Sequence, residues 1–304
     1  MAGGSRGATS TSSSLKRGVL RGAAGFWSGV GYIAGRVARW NPGLWDSPGG
    51  QRVLVVAPHP DDEVGCGGTL LLHRRAGDTV HLVHVTDGRR SHAGGLGRDE
   101  MADRRREEAA AAASVLGLAG AEWLGLREGE WEESALVPAL QDVVRRTTPQ
   151  IVYAPSRVDF HPEHVRVARC LARAIAGLGS RDLTVRIYQL HVPLTPVLVN
   201  RVAPVQSVAN ELAATMRCYR TQLGSIERCW RIKRYGAALY GLSGLAEEFW
   251  QMDGDAYDRL HQPSVGDAAK GTFRGVRARP FTDPLSYLRG LRARRGLREL
   301  SHAR

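Results

Sequence analysis

The sequence of 304 residues contains few cysteines and no long apolar segment. Its four cysteines are far apart and form no CxxC pair, a pattern that favours reduced thiols over a disulfide framework or a zinc finger. No uninterrupted apolar stretch approaches the roughly 20 residues that span a bilayer. Because the N-terminal residues also lack the pattern of a signal peptide, we expect a cytoplasmic protein.

Acidic residues are scarce at both ends of the chain. Residues 1–50 hold six Lys or Arg and one acid, and residues 268–304 hold ten and two. The overall charge of +12 therefore belongs to the ends, and the 217 residues between them carry about −1. We expect no nucleic-acid partner for the folded part, and we assign any anionic partner to the ends.

Short apolar runs alternate with amphipathic segments from residue 52 onward. Strands are predicted at Arg52–Ala57, Thr79–Thr86, Ala121–Leu126, Gln150–Ala154 and Thr184–His191. Helices are predicted at 66–76, 99–117, 134–147 and 164–178, and then at 210–222 and 231–250. This alternation predicts an α/β protein with a three-layer, Rossmann-like fold, in which helices cover both faces of a mostly parallel sheet. Ligands of such sheets bind at the carboxyl ends of the strands.

Histidines and carboxylates follow two of these strands directly. PHPDDE at 58–63 comes after the first strand, and DFHPEH at 159–164 comes after the fourth. His59, Asp62 and a histidine of the second segment could share a metal, because zinc accepts imidazole and carboxylate ligands. In either segment alone, the histidine would ordinarily make a hydrogen bond and the carboxylate would ordinarily cap a helix. The presence of both segments at two strand ends of one sheet favours a metal site. GCGG at 65–68 lacks the spacing of phosphate-binding loops.

These segments resemble one enzyme family. APHPDDEVGCGGTL at 57–70 and DFHPEH are similar to the LmbE-like, or PIG-L-like, zinc-dependent N-deacetylases, which remove acetyl groups from N-acetylglucosamine-type sugars and some related amides. TDG at 86–88, RREEAAAAASVLG at 105–117 and LGLREGEW at 124–131 extend the resemblance, which covers about 52–250. It implies a metal-dependent hydrolase acting on an N-acetylated sugar conjugate.

The resemblance also implies a metal centre and a base. His59, Asp62 and His164 would bind Zn²⁺, or another divalent metal such as Fe²⁺. Asp61 would be the general base that takes a proton from the attacking water. The metal would activate that water and polarise the amide carbonyl.

Three further residues match positions that act on the substrate in the family. His161, when protonated, would help to stabilise the tetrahedral oxyanion, whereas Arg105 and Glu128 would contact the sugar. The ordinary interpretations of the last two are an exposed helix arginine and a loop carboxylate. Glu163 replaces a usual aspartate and could change the orientation of His161. Asp159 stands where some members have tyrosine, and YRTQ at 219–222 replaces a more usual HxxQ.

Two alternatives to sugar deacetylation remain open. The same metal site could hydrolyse a larger acyl amide or a thiol conjugate. The pocket could also bind a sugar without turning it over.

The first 50 residues lie outside the resemblance. Residues 15–40 repeat apolar side chains at steps of three and four, which predicts a helix with one apolar face and basic residues opposite; the apolar positions are Leu15, Val19, Ala23, Phe26, Val30, Ile33, Val37 and Trp40. Such a helix suits an anionic membrane surface, here the inner membrane face. Packing on the same domain or on a partner subunit of an oligomer is the alternative. We therefore divide the chain into an arm (1–50), a deacetylase domain (51–260) and a basic tail (261–304).

Overall fold

The computed structural model describes residues 26–118, 120–159, 161–179, 183–262 and 291–302, which contain eight strands, nine α-helices and four short 3-10 helices, the first of them at Asp62–Gly65. The strands are β1 (Gly43–Leu44), β2 (Arg52–Ala57), β3 (Thr79–Thr86), β4 (Gly120–Leu126), β5 (Ile151–Ala154), β6 (Thr184–Tyr188), β7 (Arg201–Pro204) and β8 (Ala246–Asp253). The helices are α1 (26–38), α2 (Gly67–Arg75), α3 (Arg98–Leu116), α4 (Glu133–Thr147), α5 (Pro162–Gly177), α6 (Ala209–Cys218), α7 (Leu223–Leu239), α8 (Gly254–His261) and α9 (Leu291–His302).

All eight strands belong to one sheet, in the order β1-β7-β8-β6-β5-β2-β3-β4. The pairs from β6 through β4 are parallel, as is β1 with β7. Only β8 among these strands runs against its neighbours, β6 and β7. The five strands that were predicted from sequence are therefore the continuous parallel part of the sheet, from β6 to the edge strand β4.

Helices cover the sheet on both faces, and each face has its own apolar core. One core lies under α4, α5 and α8 and the other under α2, α3 and α6. Strand β2 alternates between them, with Leu54 and Val56 in the first core and Val53 and Val55 in the second. A strand that is buried on both faces is typical of parallel sheets. The structure confirms the prediction of a three-layer, mostly parallel α/β fold.

The predicted helix at 231–250 is wrong in its last part. Helix α7 ends at Leu239, and residues 246–253 form β8 at the interior of the sheet. Strands β1 and β7 were not predicted either. Glu247 and Glu248 broke the apolar pattern of β8, yet both are about 1% exposed, so long-range packing decided the local structure here.

The arm and the tail are described only in part. Of the predicted arm helix at 15–40, residues 15–25 lie outside the described residues, and 26–38 are helical. The tail is described at 291–302, where Leu297 is buried in the core beside α8 and Arg294 donates to the carbonyl of Pro193 at 2.5 Å. None of the helices in the described part of the chain has the length and apolarity needed to cross a bilayer.

Candidate active site

The order of the strands brings the two histidine segments together. Strands β3 and β4 lie on one side of β2, and β5 and β6 lie on the other. Open α/β sheets bind ligands at such a reversal, outside the carboxyl ends of the strands. PHPDDE follows β2, and DFHPEH follows its neighbour β5. Both segments therefore reach the same crevice.

Three buried donor atoms form a small triangle in this crevice. His59 Nδ1 lies 3.1 Å from Asp62 Oδ2 and 3.2 Å from His164 Nε2, and His164 Nε2 lies 3.2 Å from Asp62 Oδ2. Ligands bound about 2.0–2.1 Å from one tetrahedral metal are about 3.3–3.4 Å apart. The triangle therefore fits a single metal ion. The ring nitrogens of His59, His161 and His164 form a wider group, within 4.8 Å of one another, that could also hold a metal.

Asp159 orients one corner of the triangle. Its Oδ2 lies 2.9 Å from His164 Nδ1, and its Oδ1 accepts a hydrogen bond from the backbone N–H of His161 at 3.0 Å. A carboxylate on one nitrogen of a histidine fixes the ring and its tautomer, so that the other nitrogen is free to bind a metal. Sequence reasoning had considered Asp159 only as a replacement for a tyrosine and missed this arrangement.

Asp61 is held beside the triangle by Arg105. Its Oδ1 accepts a hydrogen bond from Arg105 Nη2, which also donates to the carbonyl of Pro60. The backbone of Asp61 is left-handed, with φ 104°, a conformation that few residues other than glycine adopt. Burial raises the pKa of Asp61 to about 7, although Arg105 opposes the shift. A carboxylate with such a pKa is suited to general base catalysis near neutral pH.

A second buried carboxylate, Glu63, supports the backbone of Asp61. Glu63 Oε2 accepts the backbone N–H of Asp61 at 3.2 Å and lies 3.3 Å from His84 Nε2, while Oε1 accepts the hydroxyl of Tyr219. Tyr219 begins the YRTQ segment that departs from the family pattern. The amide of Gln222, at its end, donates to Ser91 Oγ at 2.9 Å. YRTQ thus fixes two loops of the site.

Glu128 lies against the histidines. Its Oε1 is 3.4 Å from His59 Nε2 and 4.0 Å from His161 Nε2, and its Oε2 accepts the backbone N–H of Arg90 at 2.9 Å. Burial opposes ionisation, but His59 and the Arg90 amide lower the pKa of Glu128 to about 2. The structure thus gathers Glu128 and Arg105 with the other predicted residues, and contact of either with a sugar stays a prediction.

His161 borders the triangle and is 32% exposed. Burial and the neighbouring His59 and His164 lower the pKa of His161 to about 4, so the ring is neutral at pH 7. The lowered pKa of His161 therefore opposes the protonated ring that the resemblance implies. A neutral imidazole still offers one N–H donor. Glu163, the departure that could have changed the orientation of His161, accepts a hydrogen bond from Trp131 Nε1 at 2.5 Å.

The turn that carries PHPDDE is fastened from beneath by Glu247 of β8. Its carboxylate accepts hydrogen bonds from the backbone N–H groups of Gly68 and Thr69, at 2.9 and 2.8 Å, and from Lys233 Nζ at 2.6 Å. Lys233 also donates to the carbonyl of Gly65 at 2.9 Å. Gly68 packs closely, since a Cβ there would lie 2.7 Å from Val205. The GCGG glycines thus serve packing of the turn.

These side chains line a cavity of about 210 Å³. Its more exposed wall consists of Arg90 and Ser91 after β3, and of Gln222, Ser225 and Arg228 at the start of α7. A larger cavity, of about 620 Å³, lies at the amino ends of the strands beside Gln51 and Thr184. The smaller cavity is the candidate active site, because it alone of the two contains the triangle.

Comparison with known proteins relates the segment that contains this site to a family. Residues 54–175 match the family model PIG-L, described as GlcNAc-PI de-N-acetylase. A 1D-myo-inositol 2-acetamido-2-deoxy-alpha-D-glucopyranoside deacetylase from Kineococcus radiotolerans is 29% identical over 193 residues, 48% of this chain and 54% of its own length. A 4-oxalmesaconate hydratase from Pseudomonas putida is 35% identical over 137 residues, 40% of this chain and 52% of its own. The chain spans about half the length of these curated relatives.

A solved structure shows the same fold. N,N'-diacetylchitobiose deacetylase from Pyrococcus horikoshii superimposes with a TM-score of 0.58 at 24% identity, over 67% of this chain and 84% of that protein. The family match includes every residue of the predicted site, from His59 to His164. The resemblance seen in the sequence is thereby confirmed over residues 54–175, which match the PIG-L family model.

Proposed function

We propose that the protein is a metal-dependent hydrolase that removes the N-acetyl group from an N-acetylglucosamine-type sugar conjugate. The observation that carries the proposal is the triangle of His59, Asp62 and His164 at the reversal of the sheet, with Asp61 fixed next to it. The names of the deacetylase relatives support the same substrate class. Zn²⁺ is the proposed metal, since two imidazoles and a carboxylate are a usual catalytic zinc set; Fe²⁺ is the alternative.

The residues divide the reaction between them. A bound divalent metal supplies activation of water and polarisation of the amide carbonyl. Asp61 accepts a proton as the water oxygen bonds to the amide carbon. His161 donates its N–H to the oxyanion that develops on the carbonyl oxygen. The C–N bond then breaks, the amine leaves with a proton returned from Asp61, and acetate is the other product.

Arg105 and Glu128 are proposed to act on the sugar from positions next to the reacting groups. Arg105 is 5% exposed and already holds Asp61, so any sugar contact comes from its remaining donors. Glu128 is ionised and can accept hydrogen bonds from sugar hydroxyls. Both groups would orient the acetamide toward Asp61.

A substrate screen with amine release as the readout tests this function. Glycan-linked, lipid-linked and thiol-linked N-acetylglucosaminides should release free amine from the metal-loaded protein, and a panel of acyl chains on one amino sugar identifies an enzyme for larger amides. Folded, metal-loaded protein that binds these glycosides without releasing amine would be a sugar-binding protein. One relative is named a hydratase. A hydration reaction releases no amine, so this readout distinguishes it from deacetylation.

We further propose that α1 docks on an anionic membrane surface at the cytoplasmic face. Phe26, Val30, Ile33 and Val37 form an apolar stripe along the helix and are 36–79% exposed. The helix meets the domain elsewhere: Gly35 is buried against the backbone of Leu239. Arg36 is exposed, and residues 1–50 hold six basic residues and one acid. Exposed apolar side chains within a basic segment are typical of interfacial helices.

Vesicle co-sedimentation tests this second proposal. Binding to anionic vesicles should fall as salt rises, since each basic residue near the surface contributes about 1 kcal/mol that salt screens. Ile33→Ser with Val37→Ser should weaken binding, whereas Leu223→Ser, which changes an exposed apolar residue on α7, should not. A dimer in solution that the double variant dissociates, without lipid binding, would instead assign the stripe to a second subunit.

A further inference from the structure

Two arginines of the candidate active site have no acidic partner among the described residues. Arg90 and Arg228 both line the cavity. The other arginines nearby are neutralised: Arg105 pairs with Asp61, and Arg89 pairs with Asp87 at 2.7 Å. Surface arginines commonly lack partners, so the position of this pair on one cavity wall is what requires an explanation.

The wall is built to hold these arginines in place. Arg90 is fixed at its backbone, where its N–H donates to Glu128 at 2.9 Å, and its guanidinium packs over Gly129. Arg228 is half-buried and follows Ser225 by one helical turn of α7, so both face the cavity. The Gln222–Ser91 hydrogen bond of 2.9 Å joins the loop that carries Arg90 to the start of α7. The two guanidinium groups and the hydroxyls of Ser91 and Ser225 therefore lie on one wall, whose two parts are joined by a hydrogen bond.

This wall lies on the side of the cavity that a substrate would occupy beyond its acetamide. The triangle and Asp61 are 2–7% exposed and form the floor, whereas Arg90 is exposed and Arg228 is half-buried. An acetamide that reaches the floor leaves the aglycone, the group attached to the sugar, at the wall. Guanidinium groups bind phosphate and carboxylate oxygens through paired hydrogen bonds.

We propose that Arg90 and Arg228, with Ser225, form a subsite for an anionic oxyacid group, phosphate or carboxylate, on the aglycone of the substrate. This inference rests on the proposed deacetylase function, and it specifies the class of conjugate. A neutral aglycone would leave both guanidinium groups without an anionic acceptor. An anionic aglycone would supply a negative charge opposite Arg90 and Arg228.

Paired glycosides of N-acetylglucosamine test the subsite. The probes are an aglycone with a carboxylate, its carboxamide, and a phosphate of similar length; binding to metal-loaded protein is measured by calorimetry and turnover by amine release. One charge-assisted hydrogen bond contributes about 1.5 kcal/mol or more, or roughly tenfold in affinity. We expect at least tenfold tighter binding of the carboxylate or the phosphate than of the carboxamide, and comparison of these two anions shows which source of charge the subsite takes.

Variants separate the subsite from the catalytic floor. Arg228→Gln and Arg90→Gln should each reduce the preference for the anionic probes, the double variant should abolish it, and binding of the carboxamide should not change. Arg145→Gln, which changes an exposed arginine of α4, should alter neither quantity. Equal binding of the three probes to the wild-type protein, or a preference that survives the double variant, would overturn the subsite. Because binding is read separately, absence of turnover with all probes counts against the deacetylase function and not against the subsite.

Discussion

The variant Asp61→Asn tests whether Asp61 is the general base or a metal ligand. An amide cannot take up the proton that a carboxylate accepts, yet it has nearly the same shape. Asparagine also tolerates the left-handed backbone of this position, φ 104°. Its carbonyl oxygen can still accept the hydrogen bond from Arg105. Asp61→Ala would be a poorer choice, because it leaves a buried guanidinium without its partner, at a cost of about 1–3 kcal/mol or more.

The expected effect of Asp61→Asn is large for turnover and small for the metal. A positioned general base contributes about 10²- to 10⁴-fold, which is about 2.7–5.5 kcal/mol in the activation barrier. The metal should remain, because the triangle consists of His59 Nδ1, Asp62 Oδ2 and His164 Nε2 without Asp61. The thermal midpoint should fall, because the amide keeps the hydrogen bond of Arg105 but leaves this buried guanidinium without its counter-charge.

Three measurements on one preparation check this prediction: metal content by mass spectrometry, kcat for amine release, and the thermal unfolding midpoint. Asp142→Asn is the matched control, since Asp142 is an exposed residue of α4 that pairs only with Arg145 at 2.8 Å in the described structure. If the folded variant loses its metal, the roles of the adjacent carboxylates have been exchanged. If kcat stays within tenfold of the wild type, the base is another residue.

The remaining predictions concern the metal, acid stability and the buried ion pair. His164→Ala should abolish metal binding, and Asp159→Asn, which removes only the orienting carboxylate, should weaken the affinity measured by competition with a chelator 10- to 100-fold. Burial lowers the pKa of His73 to about 4; because the unfolded chain then binds more protons below pH 6.5, His73 alone should lower the free energy of unfolding by about 2 kcal/mol from pH 7 to pH 5. Urea unfolding of His73→Gln should lack that loss. Glu247→Gln leaves Lys233 buried without its counter-charge and should cost about 3–5 kcal/mol in urea unfolding, and an unchanged midpoint would show that the pair is not needed.

The parallel strands from β6 to β4 could be predicted because the apolar runs and polar turns that indicate a strand are local in sequence. Strands β2 and β3 begin and end at the predicted residues, since each is a short apolar run bounded by polar turns. The site followed from the same pattern, as parallel strands place their carboxyl ends at one edge. His59 and His164 are 105 residues apart in sequence, and the fold brings their ring nitrogens to 3.2 Å.

The supports of the site could not be predicted from such patterns. Glu247 accepts hydrogen bonds from Thr69 at the start of α2, and Tyr219 donates to Glu63 of the PHPDDE segment, each across more than 150 residues. Nothing near either residue in sequence indicates its partner, and the two carboxylates of β8 fell within the predicted helix at 231–250. A buried carboxylate is stable only when it accepts hydrogen bonds from neighbouring donors. Which donors lie next to it depends on the tertiary structure and not on the local sequence.

The backbone geometry of the proposed base depends in part on a residue outside the segment that matches the family model. Asp61 has an unusual backbone conformation, which costs about 1–3 kcal/mol and persists only where surrounding structure compensates. Here the compensation comes from Glu63, which accepts the backbone N–H of Asp61, and from Tyr219, which holds Glu63. Tyr219 lies beyond the segment 54–175 that matches the family model. The proposed metal ligands and the proposed base therefore lie within the segment that matches the family model. The backbone geometry of Asp61 depends also on Tyr219, which follows that segment.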